Sequence, residues 1–164
     1  MKKNKILLIL SIFVLSVSFV TGCGSKENTN QNEEKNKTVA TTLSETFKKE
    51  IKKQRNIEKV AKTLSENEVI VPAVQTFIVS EGDYLTGFKE EIKGYKKVVG
   101  ISPMIGTIPF IAYIFEVEDT KKFVEVLEEN AQLNWNICTQ ADEMKITIVD
   151  NYIFFIMAPT NFEE

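Results

Sequence analysis

The chain has 164 residues, 43% of them hydrophobic and 26% charged, which fits one globular domain of modest size. It contains no His, which removes the commonest general base and the commonest metal ligand, and its two cysteines, Cys23 and Cys138, allow no framework of disulfides. The net charge of −3 is unevenly spread: residues 42–62 hold seven bases and three acids, whereas 63–164 hold seven bases and seventeen acids, so a basic segment precedes an acidic one.

At the N-terminus, Lys2, Lys3 and Lys5 precede the apolar run from Ile6 to Val20, broken only by Ser11, Ser16 and Ser18. A positive segment followed by a short apolar run is the design of a secretory signal. The run is 15 residues long, short of the roughly 20 that cross hydrocarbon as a permanent helix. It ends in Val20-Thr21-Gly22-Cys23, an aliphatic residue and two small ones before a cysteine. This resembles the lipobox of bacterial lipoproteins, and the resemblance implies cleavage after Gly22 and a diacylglycerol thioether on Cys23. Two acyl chains hold where one gives only marginal binding, so the expectation is an extracytoplasmic chain fixed to the membrane through Cys23. Without residues 1–22 the chain keeps 164 − 22 = 142 residues, enough for about two thirds of the unfolded surface to be buried with no metal or disulfide.

Residues 23–41 read as the lipidated Cys and a polar, flexible linker, since residues 24–38 are almost wholly polar and cannot bury enough surface to offset ordering. The domain is then expected to span 42–164. A helix is predicted from Thr42, with Glu45 at capping-box spacing. Its apolar positions Leu43, Phe47 and Ile51 drift around the axis from Ile57, Val60, Ala61 and Leu64, which predicts one curved helix or two short ones. Val74 to Val79 reads as a strand ending at Ser80-Glu81-Gly82-Asp83, followed by a short helix with Leu85, Phe88 and Ile92 on one face. Lys97 to Ser102 and Phe110 to Val117 read as strands, and Glu118-Asp119-Thr120 opens a helix with Phe123, Val126, Leu127 and Ala131 inward. Lys145 to Val149 and Tyr152 to Met157 form a predicted hairpin around Asp150-Asn151, whose second strand is apolar on both faces and therefore interior. The predicted fold class is α+β: an N-terminal helix followed by a βαββαββ-like domain, with helices packed on an antiparallel or mixed sheet.

Ala112-Tyr113-Ile114-Phe115-Glu116-Val117 with Asp119, Asn134-Trp135-Asn136-Ile137-Cys138-Thr139 with Ala141-Asp142-Glu143, and the closing Val149 to Phe155 hairpin resemble a family of small uncharacterised lipoproteins of Gram-positive, clostridia-like bacteria. The resemblance lies in strand and helix patterns and implies no activity and no site residue.

Candidate chemistry is sparse. Cys138 lacks a His and a nearby base, and a free cysteine is among the most buried residue types, so it is expected in the core. Glu116, Glu118 and Asp119 cluster where a helix begins, which the helix dipole favours on its own. Asp142-Glu143 and Ser80 to Asp83 lack the alternating spacing of a calcium loop, and Gly100 to Gly106 lacks the Lys-Ser or Lys-Thr of a phosphate loop. Phe110, Tyr113, Phe115, Phe123, Phe154 and Phe155 fall at strand and helix positions and are assigned to the core rather than to a ligand cage. The expectation is therefore no metal, no cofactor, no catalytic residue and no nucleic acid.

Two functions fit this pattern. The first is a non-catalytic binding or structural module of the cell envelope; the alternative is an envelope hydrolase or ligand-processing enzyme whose carboxylates converge only in the fold. For the module, Lys48, Lys52, Arg55, Lys59 and Lys62 are spaced four, three, four and three apart, which aligns them in one helical stripe. Such a stripe suits an anionic envelope polymer or lipid headgroups, with an envelope protein as a further compatible partner. Metabolic labelling with a lipid precursor should mark the natural chain and not Cys23→Ser; label that survives the substitution refutes an anchor at Cys23.

Overall fold

The structure is a computed structural model and describes residues 37–80 and 82–162. The predicted signal, Gly22, Cys23 and the linker as far as residue 36 lie outside the described residues. Two helices, α1 (Val39–Gln54) and α2 (Ile57–Ser65), precede strands β1 (Val74–Ile78), β2 (Tyr95–Pro103) and β3 (Ile111–Val117), helix α3 (Thr120–Asn130), and strands β4 (Glu143–Val149) and β5 (Tyr152–Ala158). The five strands form one antiparallel sheet in the order β1-β2-β3-β5-β4. The fold is α+β, as the patterning predicts.

Apolar patterning accounts for the layers. All seven residues of β5 are buried, and in β3 only Glu116 is not. Because side chains alternate across a strand, both sheet faces are apolar and each needs a cover. On one face Ala112, Ile114, Phe154 and Ile156 meet Leu43, Phe47 and Ile51 of α1 and Val60, Ala61 and Leu64 of α2. Phe47 stacks on Phe154 with ring centroids 5.3 Å apart. On the other face Tyr113, Phe115, Ile153 and Phe155 meet Phe123 and Leu127 of α3 and Leu85, Phe88 and Ile92 of the β1–β2 connection.

Helix α1 begins at Val39, not at Thr42. Thr38 is its N-cap, accepting from the Thr41 N–H, and the predicted capping box of Thr42 and Glu45 is not used. Tertiary burial overrides it: Val39 and Ala40 are fully buried, and the Val39 N–H donates to the Thr160 carbonyl at 3.0 Å. Residues assigned by composition to the end of the linker thus belong to the core. The drift in apolar positions is resolved as two helices. Arg55 ends α1 in the left-handed region at φ 44°, and the Asn56 side chain caps α2 by accepting from the Lys59 N–H.

The short helix expected after Asp83 is irregular chain instead. Gly87 and Gly94 hold positive φ of 96° and 95°, and the backbone is tied across to the end of α3, with the Lys89 N–H donating to the Asn130 carbonyl and the Gln132 N–H to the Gly87 carbonyl. Those exchanges compete with helical hydrogen bonds, while Leu85, Phe88 and Ile92 are buried as their spacing predicted. At Gly87 the φ of 96° strains any side-chain-bearing residue, and a Cβ there would stand 2.5 Å from the Met157 methyl, which would have to shift. The closing hairpin matches its prediction: Val149 pairs with Tyr152 across a two-residue turn, with Asp150 at φ 53°, and β5 is interior.

Phe77 of edge strand β1 lies directly opposite Gly100 of β2, and a Cβ at Gly100 would fall 2.2 Å from the Phe77 ring. The bare backbone is the floor on which the ring sits, edge-on to Tyr113 at 6.2 Å. Gly100→Ala should displace the ring and lower unfolding free energy by about 1–3 kcal/mol in a urea titration. Combined with Phe77→Ala the two losses should fall short of their sum, and strict additivity would show that ring and glycine do not interact.

Candidate functional site

The antiparallel sheet has two ends with different chemistry. At one, the Asp150–Asn151 hairpin meets the α1–α2 junction, where the Arg55 guanidinium donates to Asp150 Oδ2 at 2.7 Å and the Tyr152 hydroxyl donates to the Arg55 carbonyl. At the other, α1 begins beside the end of β5, and the β2–β3 and α3–β4 connections converge.

Lys48, Lys52, Arg55, Lys59 and Lys62 are all exposed. They do not form the single helical stripe predicted, because the left-handed turn at Arg55 divides them: Lys48 and Lys52 lie on α1, Lys59 and Lys62 on α2. The helices run back along each other, with the Asn67 side-chain amide donating to Thr46 Oγ1 at 3.3 Å, so the two halves share the helical side of the domain. Arg55 is engaged by Asp150, and Lys62 stands 3.9 Å from Glu66. Among the described residues, Lys48, Lys52 and Lys59 have no carboxylate within ion-pair distance. Lys49, also exposed, falls outside the predicted spacing. At the start of α1, Lys37 bonds Glu45 and holds its carboxyl below the usual range.

Four of the acidic groups bind backbone, and others pair with Lys or Arg. Asp119 caps α3 by accepting from the Lys122 N–H at 3.1 Å, and Glu118 pairs with Lys96. Asp83 accepts from the Ser80 N–H and closes its own turn. Asp142 accepts from the Thr160 N–H at 2.7 Å, and Glu143 from the Ala40 N–H at 3.4 Å. No group of three or more Cys, Asp and Glu in metal-binding proximity occurs among the described residues. Phe110, Tyr113, Phe115, Phe123, Phe154 and Phe155 are core, as predicted. Burial pushes the Tyr113 phenol upward, and its hydroxyl donates to the Thr86 carbonyl.

Cys138 contradicts its core assignment: it is exposed. The segment carrying it is pinned outward by its polar neighbours. Asn136 donates from its amide to the Gly106 carbonyl at 2.6 Å, and the Thr139 hydroxyl to the Thr107 carbonyl at 2.7 Å, leaving Ile137 and Cys138 on the outside between these anchors. The sequence signal for this was the polar flank of Asn134, Asn136, Thr139 and Gln140, which a buried segment would have had to satisfy. Beside these loops lies a cleft of about 600 Å³ between Val71, Pro72, Ile108, Pro159 and Phe162, with Asp142 at its rim. A second, of about 450 Å³, lies where Lys93, Glu118 and Lys122 surround Phe123.

No protein family, curated protein or solved structure matches this chain. A water-soluble maleimide should modify Cys138 rapidly in the folded protein, and Cys138→Ser should change stability by less than about 0.5 kcal/mol. Protection until the domain unfolds would restore the core assignment.

Proposed function

We propose that the chain is a lipid-anchored extracytoplasmic binding module that presents its basic helical face to an anionic surface of the cell envelope. The observation that carries this reading is the apolar run ending in Val20-Thr21-Gly22-Cys23, with the N-cap of a folded domain only fifteen residues beyond that cysteine, at Thr38. Lys48, Lys52 and Lys59 supply charge that is not already spent on neighbouring acids. A polyanion or headgroup surface suits them because it engages several separated cations at once. Among the acids, by contrast, Asp119 caps α3 and Asp142 binds the Thr160 N–H, engagements that favour a binding module over a hydrolase built on carboxylates.

Each unpaired lysine near an anionic surface contributes about 1 kcal/mol, so three together set a scale of about 3 kcal/mol at low ionic strength. Residues 24–164 without lipid should cosediment with anionic vesicles, or with an anionic polymer, more strongly than with neutral controls, and less so as salt rises. Changing Lys48, Lys52 and Lys59 to Gln should reduce that binding by about tenfold or more. Equal binding to charged and neutral surfaces, or no loss in the triple variant, removes the basic face from the function.

A further inference from the structure

The end of the sheet where α1 begins is free of charge over four converging stretches. Residues 69–80, 98–115, 130–141 and 151–162 contain no Lys, Arg, Asp or Glu in a chain that is 26% charged. The connections that meet there belong to these stretches: the turn before β1, the β2–β3 loop, the α3–β4 loop and the segment after β5. Their tips carry large apolar side chains into solvent. Ile137 is 100% exposed, Met104 66%, Ile105 63% and Val71 59%. Hydrogen bonds join the tips into one surface, with the Met104 N–H donating to the Ala73 carbonyl and Asn136 and Thr139 fastening the α3–β4 loop to Gly106 and Thr107. The opposite end is charged, with Arg55 on Asp150, Lys96 on Glu118 and Lys97 on Glu58.

We infer that this end, through the uncharged loop tips that carry Met104, Ile105, Ile137 and Val71, seats in the interface of the same bilayer that holds the lipid on Cys23. The inference rests on the anchor proposed above. Two observations choose a lipid surface over another occupant. First, the chain outside the described domain leaves from this end: the Val39 N–H is bonded to Thr160, and only 15 residues, Gly24 to Thr38, separate it from Cys23. Fifteen residues reach at most about 54 Å, so this end has the tightest bound on its distance from the anchor. Second, an interface that takes apolar side chains resists charged ones, and the loop tips that carry Met104, Ile105, Ile137 and Val71 hold no charge, while the charged groups near the start of α1 are engaged, Asp142 and Glu143 by backbone N–H groups and Lys37 by Glu45.

The stance has a geometric result. Helix α1 runs from this end to the other, so Arg55, 16 residues beyond Val39, stands about 24 Å further from the bilayer. That exceeds the Debye length of about 8 Å, so the far half of the basic face does not sense its own leaflet and is left open to an anionic surface outside it.

Trp135, the one tryptophan, is half-buried in the α3–β4 loop and serves as a native probe. The full lipidated chain is reconstituted in vesicles containing lipids brominated near the headgroup end of the acyl chain. Trp135 fluorescence should be quenched, and Ile105→Asp with Ile137→Asp should return it to the unquenched level while unfolding in urea is unchanged, both side chains being exposed. With Cys23 blocked by lipid, Cys138 should also react more slowly with a water-soluble maleimide than it does in that double variant. Changing Lys48, Lys52 and Lys59 to Gln should leave the quenching intact. A chain that cosediments with the vesicles yet shows no quenching overturns the inference and leaves the anchor standing, as does Trp135 emission that changes with protein concentration instead, which assigns the surface to a second copy. A chain that carries no lipid and does not cosediment overturns both.

Discussion

The structure depends on one constraint: its two central neighbours, β3 and β5, are apolar on both faces. With Ile114 and Phe154 on one side and Tyr113, Phe115 and Phe155 on the other, neither face can meet water. Each fully buried side chain of this size contributes about 1.5–3 kcal/mol relative to exposure, so leaving either face uncovered would forfeit more than the whole net stability of a typical domain. Everything else in the fold answers that requirement. The two N-terminal helices cover one face; α3 and an irregular, glycine-dependent segment cover the other.

The irregular cover explains several features together. A segment lying flat on aromatic side chains needs backbone partners, and it finds them at the C-terminal end of α3, where Asn130 and Gln132 exchange hydrogen bonds with it. That exchange fixes where α3 stops, and so where the α3–β4 connection begins. The connection then crosses to the β2–β3 loop, and the exposure of Ile137 and Cys138 follows from the polar fastenings on either side of them.

Much of the fold was legible because both central strands announce themselves. The continuous apolar run of β5 placed it in the interior, Asp150-Asn151 gave the hairpin, and Asp119 gave the start of α3. What could not be read was decided by contacts distant in sequence. The start of α1 depends on Thr160, more than a hundred residues away, and the loss of a helix after Asp83 depends on Asn130 and Gln132. The basic residues were recognisable as exposed, but their division into two groups turns on one left-handed residue, Arg55, in a sequence that offered neither glycine nor proline there. Cys138 was misplaced because residue type was weighed above the polar residues flanking it.

The junction of Val39 with Thr160, buttressed by Asp142 on the Thr160 N–H, brings the first and last described segments side by side. Tension drawn through residue 38 therefore does not stretch the sheet along its strands. It bears first on α1 at Val39, where the helix lies against β4 and β5. Because α1 is the cover of the face that carries Ile114 and Phe154, a pull that frees the helix also removes what keeps the sheet from water, so helix and sheet share one mechanical fate.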